Sequence, residues 1–552
     1  MSSFEITGQL VDLHQQRIRP ACIRVEAGRI ASIESRPPAN NKGPFLLPGF
    51  VDSHVHIESS LLVPAAFASL AVVHGTVATV SDPHEIANVC GMEGVEFMIQ
   101  NGRQVPFKFH FCAPSCVPAS AFETAGARLG VAEVAALLAR KEIVGLGEIM
   151  NYPGVLLQDP EVMAKIAAAR RAGKVIDGHA PGLRGEEARK YIESGREGEV
   201  TISTDHECFM LAEAEEKIRH GMKIIIREGS AACNFDALIP LMEKHADRIM
   251  FGSDDKHPDN LLEGHINQLC ARAVAGGHDL FSVLRAACLN PVRHYLLDVG
   301  LLRAGDPADF ILVEDLQSFR VTQTYINGEL AAENGRSLIA YKGTTVINQF
   351  RRSPLRTADL HWKAGAEGAA CDVIEARDGQ LVTGRISAQP LVRDDGIISD
   401  PERDLLKIAV VNRYHEAPVA MALIRNFGLR RGAIASSVAH DSHNIIAVGA
   451  DDESLCEAIN LIIGENGGLS AVDGIGQHIL PLPVAGLMSD RSGPEVAAAY
   501  ARLDQAAKAL GSPLRSPFMT LSFMALLVIP ELKLSDQGLF DGSRFELVCG
   551  GL

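Results

Sequence analysis

Residues 48–60 read PGFVDSHVHIESS and place two histidines, His54 and His56, one residue apart after an apolar run. In a strand, successive side chains alternate between the two faces, so residues two apart point in the same direction. The side chains of His54 and His56 would therefore converge on one point at the end of a buried strand. This pair alone is consistent both with a polar strand end and with half of a metal site.

Eight short β-rich runs alternate with helix-like segments between residues 45 and 255, and the first of them overlaps this stretch. The runs are FLLPGFVDSH, GTVATVSD, FKFHFCAP, EIVGLGE, KVIDGHA, VTISTDH, KIIIREGS and RIMFGSDD. Strands that alternate with helices predict a parallel sheet. Eight such units in this length predict an α/β fold with a (β/α)8 TIM-type barrel, and a doubly wound open sheet is the alternative.

The segments on either side of the barrel region have a different pattern. Both flanks read as short strands joined by turns, so we expect residues 1–46 plus 300–342 to form one small β-domain around a barrel of residues 47–299. After residue 342 the alternation stops, and strand-like runs follow together with the amphipathic segment DDESLCEAINLIIGENGG. We therefore expect residues 343–552 to form a separate C-terminal α+β domain.

The bulk composition is that of an enzyme rather than of a nucleic-acid-binding protein. The chain has 552 residues, 47% of them hydrophobic and 22% charged, which is ordinary for a globular protein of two or three domains. Its net charge of −16 argues against a nucleic-acid partner, which an excess of Lys and Arg would indicate. The eleven cysteines show no paired spacing and the N-terminus lacks a secretory signal, so we expect a cytoplasmic protein.

Residues 61–80, LLVPAAFASLAVVHGTVATV, are apolar over a length that could span a membrane. Pro64, His74 and Gly75 interrupt this stretch, and Gly75 divides it into a helix-like half and a β-branched half. We therefore predict a buried helix followed by a buried strand, and no membrane partner.

Chemically active side chains recur where the predicted strands end, and barrel active sites lie at the carboxyl ends of their strands. The strand ends carry His54 and His56, Asp82, His84 and Glu85, Glu148, His179, Asp205, His206 and Glu207, and Asp254 and Asp255. Each of these residues alone is more often a helix cap or a satisfied polar group than a ligand. Imidazoles and carboxylates that meet at the mouth of the barrel suit Zn, Mn or Fe. Four histidines and two carboxylates are more ligands than a single tetrahedral ion needs, so two ions that share a bridging carboxylate fit them better than one ion does.

The order H-x-H, carboxylate, His, His, Asp on successive strands resembles the amidohydrolase superfamily, as does the bracketing β-domain. Finer motifs resemble its adenine deaminase branch. These are PGFVDSHVHIESS, VSDPHEIANVCG and GLGEIMNYPGV in the barrel and SSVAHDSHNIIAVG at residues 436–449. The resemblance covers essentially the whole chain. It implies hydrolytic deamination of adenine to hypoxanthine and ammonia, as in purine salvage, with two divalent ions per chain, Mn or Fe ranking above Zn.

Carried over motif by motif, the resemblance also implies a set of metal ligands. One ion would be held by His54, His56 and Asp254 and the second by His179 and His206, with Glu148 as the bridge between them. Many relatives use a carbamylated lysine as the bridge. No lysine stands in GLGEIMN, which disfavours a dihydroorotase-like or hydantoinase-like site.

The implied reaction is the attack of a metal-activated water on C6 of adenine, for which Asp254 would take the proton of the water and pass it to the departing ammonia. The ring nitrogen beside C6 must also be protonated. Mononuclear deaminases use a glutamate three residues after the strand-five histidine, but Gly182 stands at that position. Asp82 and His84 are therefore our candidates for binding the substrate and donating this proton, and Glu148 is the other candidate.

Several alternatives stay open from the sequence. Asp82 could instead cap the following helix. His440 and His443, with Asp441, could form an extra metal site, reach over the barrel mouth or lie in a polar turn. The chain could also be another amidohydrolase acting on a different nucleobase or cyclic amide, or a non-catalytic metal-binding relative. We expect a homo-oligomer, taken as a dimer, with a small-molecule substrate.

Overall fold

Eight parallel strands form the part of the molecule that carries the paired histidines. In the computed structural model, which describes residues 3–35, 43–365, 370–474 and 476–548, these strands follow one another in chain order. They are β1 to β8, at Phe50–Val55, Thr76–Ser81, Lys108–Ala113, Ile143–Ile149, Val175–Gly178, Thr204–Asp205, Lys223–Arg227 and Ile249–Gly252. β1 to β5 form one hydrogen-bonded sheet and β6 to β8 form another.

Backbone hydrogen bonds join these two sheets at both of their edges. The N–H of Ser203 donates to the carbonyl of Ile176 in β5 over 2.8 Å, and the N–H of Asp254 donates to the carbonyl of His54 in β1 over 2.9 Å. The parallel sheet therefore curls back on itself as a TIM-like barrel. The carboxyl ends of β1 and β8 lie side by side, which places His54 next to Asp254.

Both faces of the barrel strands are covered, so their sequences are apolar or β-branched along their length rather than alternating. All six residues of β1 and all six of β2 are buried. The stretch of membrane-like length, residues 61–80, forms the helix Pro64–Ala71 and most of β2, which confirms the predicted helix and strand. No helix in the described parts of the chain is both long enough and apolar enough to cross a membrane.

Helices connect the barrel strands and begin at residues that suit a helix start. In Pro160–Arg171, the carboxylate of Asp159 accepts hydrogen bonds from the N–H groups of Glu161 and Val162, and proline occupies the first turn. The longer helices are Pro64–Ala71, His84–Gly102, Val131–Leu138, Pro160–Arg171, Gly185–Glu193, Leu211–Arg219 and Ile266–Ala275, and the shorter ones are Tyr152–Leu156, Phe235–Leu238, Met242–His245, Pro258–Glu263, Leu280–Leu284 and Asn290–His294. The helix His84–Gly102 begins just after β2, so its first residues lie at the barrel mouth.

Strands from both flanks of the barrel region join in one eight-stranded sheet. Phe45–Pro48 lies in its middle, parallel to Phe4–Asp12 on one side and antiparallel to Phe310–Val313 on the other. The remaining strands of this sheet are Arg17–Glu26, Arg29–Glu34, Val321–Ile326, Glu329–Glu333 and Arg336–Ser337. Backbone hydrogen bonds therefore tie the two ends of the barrel region together.

The C-terminal part of the chain forms a second eight-stranded sheet with helices. In spatial order its strands are Gly384–Ala388, Cys371–Glu375, Ala420–Arg425, Leu406–Val411, Ile445–Gly449, Ala433–Ser436, Gly468–Val472 and Gln477–Pro481. Its helices are Asp452–Gly464, Gly493–Ala509 and Pro517–Phe523, and two smaller sheets consist of Trp362–Lys363, Leu391–Arg393 and Gly396–Ile398, and of Leu532–Ser535, Gly538–Asp541 and Glu546–Leu547. The predicted amphipathic helix is confirmed as Asp452–Gly464, which the carboxylate of Asp451 caps.

The C-terminal part is anchored to loops at the barrel mouth. The N–H of Thr124 donates to Asp536 Oδ1 over 2.9 Å, and Asn444 Nδ2 donates to the carbonyl of Thr124 over 2.9 Å. His257, which follows β8, lies with its Nδ1 2.5 Å from the hydroxyl of Tyr500. These contacts hold the loop around Asn444 over the carboxyl ends of the barrel strands.

Candidate active site

His54 and His56 lie at the end of β1 and meet Asp254, which follows β8. Asp254 Oδ1 lies 3.3 Å from His54 Nε2 and 3.3 Å from His56 Nε2. All three side chains are buried. The neighbouring positions of β1 and β8 bring together residues that are far apart in the chain.

Glu148, in β4, lies between two groups of histidines. Its Oε1 is 3.2 Å from His56 Nε2, while its Oε2 is 2.6 Å from His179 Nδ1 and 3.1 Å from His206 Nε2. The two oxygens of one carboxylate thus face different imidazoles. The structure brings all six predicted metal ligands into one buried cluster.

The hydrogen bond that His56 makes through Nδ1 leaves its other ring nitrogen, Nε2, facing two carboxylates. Its Nδ1 lies 3.0 Å from the carbonyl oxygen of Asp82, which can only accept, so Nδ1 carries the proton. Nε2 therefore presents a lone pair toward Glu148 and Asp254. His54 Nε2 is also buried and has no hydrogen-bond partner among the described residues. A divalent ion between these imidazoles and carboxylates satisfies all of them, so the residues fit a metal.

Neighbouring imidazoles and a guanidinium hold the two carboxylates of the cluster ionised. Burial on its own would raise the pKa of Glu148, but the imidazoles of His179 and His206 outweigh burial and hold that pKa well below its usual value. Burial would likewise raise the pKa of Asp254, and the guanidinium of Arg227 outweighs it and holds the pKa well below its usual value. A carboxylate that stays ionised can ligate a metal.

Arg227 and Glu207 belong to this cluster although the sequence reasoning did not select them. The Arg227 guanidinium donates to Asp254 Oδ2 and, over 2.8 Å, to Glu207 Oε2. Glu207 Oε1 lies 3.5 Å from His206 Nε2 and 3.7 Å from His179 Nδ1. Glu207 could have been predicted from the sequence because it directly follows His206 at the end of β6. Arg227 ends β7, where the sequence showed no ligand-type side chain, and its guanidinium donates to two carboxylates of the cluster.

Asp82 lies next to the predicted metal ligand Glu148. Its Oδ2 accepts a hydrogen bond from the backbone N–H of Glu148 over 2.9 Å. Asp82 does not cap the helix His84–Gly102, whose start instead includes a bond of 3.2 Å from the N–H of Ile86 to Glu58 Oε1. The geometry therefore favours a positioning contact between Asp82 and the β4 glutamate over the capping alternative.

Gly147→Ala is expected to destabilise the protein and to lower its activity. A Cβ at Gly147 would overlap Asp82 Oδ2, the atom that accepts from the N–H of Glu148. Overpacking a filled interior typically costs about 1–3 kcal/mol. Melting temperature and turnover measured together check this, with Gly464→Ala as the control because a Cβ there meets open space. An unchanged melting temperature and turnover for Gly147→Ala would contradict the proposed crowding.

His84 and Glu85 line the cavity beside the ligand cluster. His84 Nδ1 lies 3.6 Å from Glu148 Oε1, and His84 Nε2 lies 3.3 Å from Glu85 Oε1. Glu85 contacts the C-terminal domain, because its Oε1 is 2.5 Å from His440 Nδ1 and its Oε2 accepts from His443 Nε2. The two C-terminal histidines thus reach over the barrel mouth. Neither they nor Glu85 were among the predicted site residues.

Glu85, His440 and His443 form a hydrogen-bonded group rather than an extra metal site. The backbone N–H of Ala439 donates to His443 Nδ1 over 3.2 Å, so the ring proton is on Nε2, which donates it to Glu85. A nitrogen that carries a proton does not ligate a metal. Burial on its own would raise the pKa of Glu85, but the two imidazoles outweigh burial and hold that pKa well below its usual value.

The cavity above the ligand cluster has a charged floor and an apolar wall. The cavity volume is about 20 Å³, room for about one water molecule, so its walls must move apart to admit a larger ligand. The apolar wall consists of Met150 from the barrel and Leu381, Phe523 and Leu526 from the C-terminal domain. The ring of Phe523 stacks on that of His440, with centroids 4.8 Å apart and an angle of 21° between their planes. A flat aromatic substrate would have both ring surfaces and polar groups to contact here.

Two family models match the chain. The model described as the amidohydrolase family matches residues 45–331, and the model described as the adenine deaminase C-terminal domain matches residues 380–546. The first match includes all six predicted metal ligands. The second includes the segment that supplies His440 and His443.

Relatives match over nearly the whole chain. An adenine deaminase of Salinibacter ruber is 55% identical over 99% of this chain and 99% of its own length. The adenine deaminase of Methanosarcina mazei is 50% identical over 98% of this chain and 98% of its own length. That of Sulfurovum sp. is 52% identical over 99% of this chain and 99% of its own length. A solved N-isopropylammelide isopropylaminohydrolase from Burkholderia multivorans is 17% identical, with a TM-score of 0.44, over 61% of this chain and 100% of its own.

Proposed function

The chain belongs to the amidohydrolase family and, within it, to the adenine deaminases, and we propose on that premise that it hydrolyses adenine to hypoxanthine and ammonia. The observation that carries the proposal is the likeness to adenine deaminases over the barrel and the C-terminal domain together. The buried imidazoles and carboxylates support it, because hydrolysis at an aromatic carbon needs a strong nucleophile at neutral pH. The reaction belongs to purine salvage.

Release of ammonia from free adenine by the purified, metal-loaded chain tests this function. Adenosine, guanine, cytosine and hydantoin in the same assay test the alternative that the substrate is a different nucleobase or a cyclic amide. A metal-loaded chain that acts on none of these compounds would instead support the alternative of a non-catalytic metal-binding relative.

The family uses divalent metal ions, and the donor groups of this chain fit them. In the proposed arrangement one ion is held by His54, His56 and Asp254 and the other by His179 and His206, with Glu148 between them. Manganese or iron rank above zinc in this proposal, and all three accept imidazole and carboxylate ligands. Such ions, when bound, lower the pKa of a water molecule to about 7 and so supply the nucleophile.

Elemental analysis of the fully active protein is expected to find two divalent ions per chain. The reason is that the two oxygens of Glu148 face separate imidazoles, His56 on one side and His179 and His206 on the other. His179→Ala should lose one of the two ions and keep the other. A single ion per chain in protein of full activity would contradict the arrangement.

Asp254 is the proposed proton carrier for the attack on C6. Its Oδ1 lies beside His54 and His56, while its Oδ2 is held by Arg227. The carboxylate therefore keeps one orientation while Oδ1 takes a proton from the attacking water and gives it to the departing ammonia. Arg227 keeps this carboxylate ionised before each turnover.

The ring nitrogen beside C6 needs a proton, and His84 and Glu85 are acid–base groups that face the cavity. Asp82 Oδ1 lies 3.7 Å from His84 Nδ1, beyond hydrogen-bond distance, so Asp82 acts on that imidazole through its charge. We therefore assign ring protonation to His84. Burial on its own would lower the pKa of His84, but the carboxylates of Glu85, Asp441 and Asp82 outweigh burial and hold that pKa well above its usual value. Glu85 and Asp82 are assigned to orienting this imidazole and keeping it protonated. Glu148 stays an alternative donor, because its Oε1 lies 3.6 Å from the same His84 nitrogen.

We propose that the chain is divided into three domains with the bounds predicted from its sequence. A (β/α)8 barrel spans residues 47–299, a small β-domain consists of residues 1–46 plus 300–342, and an α+β domain spans 343–552. The sheet shared by both flanks supports the second of these units. The parallel strands in chain order support the first.

Cellular location and assembly complete the proposal. A cytoplasmic location is supported by buried cysteines such as Cys270 and Cys288, which are free thiols. A homodimer is the proposed assembly, and the exposed side chains of Phe209 and Met210 offer apolar surface for it. Light scattering of the purified protein tests the dimer.

A further inference from the structure

A buried carboxylate of the C-terminal domain lines the cavity and has one oxygen that accepts no hydrogen bond from the described residues. Asp441 is 2% exposed and lines the same cavity as Glu148 and Asp254. Its Oδ2 accepts no hydrogen bond from any residue that the structure describes. A buried carboxylate without hydrogen bonds is costly, so an unsatisfied one in a substrate cavity indicates a ligand that donates to it.

The neighbours of Asp441 do not satisfy it. Its Oδ1 lies 3.7 Å from His84 Nε2 and 3.8 Å from His440 Nδ1, both too long for a hydrogen bond. The proton of His440 Nδ1 is directed instead at Glu85, which lies 2.5 Å away. Oδ2 of Asp441 therefore has no hydrogen-bond donor among the described residues, and Oδ1 has only these two longer contacts.

Asp441 and the predicted metal ligand Glu148 contact opposite nitrogens of the His84 imidazole. The imidazole of His84 stands between the two, with Nδ1 3.6 Å from Glu148 Oε1 and Nε2 3.7 Å from Asp441 Oδ1. A purine lying along this imidazole, with its amine-bearing carbon at the ligand cluster, would direct its five-membered ring toward Asp441. Phe523 and Leu526 supply apolar contacts for the rings beside it.

We propose that Asp441 accepts a hydrogen bond from the imidazole N–H of a free purine base and so selects free bases against nucleosides. Free adenine carries one N–H on its five-membered ring, and in a nucleoside the sugar replaces that hydrogen. A site built to accept an N–H strongly rejects an analogue that lacks it, because its own polar group is then left unpaired. The inference rests on the adenine deaminase activity proposed above, and it assigns substrate selection to the C-terminal domain.

Adenine and 9-methyladenine are the substrates that test the proposal, because they differ only at this N–H. The metal-loaded wild type is expected to favour adenine by at least about 10²-fold in kcat/KM. Asp441→Ala should lower kcat/KM for adenine by about 10- to 100-fold and leave that for 9-methyladenine unchanged, so the discrimination collapses. Asp441→Ala with wild-type discrimination, or a wild type that accepts both bases equally, would overturn the proposal.

Binding of purine and 9-methylpurine, measured by calorimetry, tests Asp441 independently of turnover, because neither compound has an amine to lose. The wild type should bind purine at least about 10-fold more tightly, and Asp441→Ala should bind both equally. If adenine releases no ammonia but this difference is seen, the proposed function fails and the role of Asp441 stands. Equal binding of both compounds by the wild type would refute that role.

Two controls separate recognition from folding. Asp441→Asn keeps the shape of the side chain and an acceptor oxygen, so it should retain part of the discrimination even if Asp441→Ala folds poorly. Asp395→Ala removes a carboxylate of the same domain that is 66% exposed and should behave as the wild type. Metal content and melting temperature are measured on every variant, and a loss of discrimination in Asp395→Ala would also count against the proposal.

Discussion

Glu148→Gln is expected to abolish adenine turnover, by about 10⁴-fold or more, in a chain that still folds. The carboxylate of Glu148 faces His56 through one oxygen and His179 and His206 through the other. An amide offers only one oxygen, places N–H hydrogens toward one set of imidazoles and carries no negative charge. It therefore bridges two cations poorly and cannot carry a proton, so metal binding and acid–base catalysis are lost together.

Ammonia release, metal content and the circular dichroism spectrum of Glu148→Gln check this expectation. The spectrum should be unchanged, while fewer than two ions per chain are retained. Glu142→Gln is the matched control, because Glu142 immediately precedes the same strand at its other end and its side chain is 29% exposed. Near-normal turnover of Glu148→Gln would show that Glu148 is neither the bridge nor a proton carrier.

The barrel could be predicted because its signals are local. Runs such as residues 76–81 are buried on both faces and so read as continuous β-branched or apolar stretches, and helix starts such as Asp159 are marked by capping residues. Parallel strands then place every carboxyl end at one mouth. This is why His54 and Asp254, far apart in the chain, could be expected to face each other before their distance was known.

The contacts between the barrel mouth and the C-terminal domain, and the residues that hold the carboxylates in place, could not be predicted in the same way. The contact of Glu85 with His440 joins residues 355 positions apart, in different domains, and no local pattern specifies how a domain docks. Arg227 was not predicted as a site residue because a guanidinium is not a metal ligand. Its contribution depends on the carboxylates around it. Asp82 read equally well as a helix cap, and only the position of the neighbouring strand directs its carboxylate to Glu148.

Glu85→Gln and His84→Asn are each expected to lower kcat/KM for adenine by about 10²–10⁴-fold while both metals are retained. Both side chains face the cavity, and Glu85 is kept ionised by His440 and His443. Ring protonation requires an acid at the mouth, and the ionised Glu85 helps to hold the pKa of His84 well above its usual value, so that His84 carries the proton. Glutamine carries no charge to keep His84 protonated, and His84→Asn removes the acid itself.

Comparing the kcat/KM of Asp82→Asn with that of Glu85→Gln and His84→Asn determines which of the three side chains holds the proton. Asp82 acts through His84 and through the N–H of Glu148, so this variant should lose about 10- to 100-fold, less than the two residues at the substrate. Turnover, metal content and melting temperature on the same preparations distinguish this from simple destabilisation. Full activity of both Glu85→Gln and His84→Asn would leave Glu148 as the proton donor, because it is the remaining carboxylate within 3.6 Å of that imidazole.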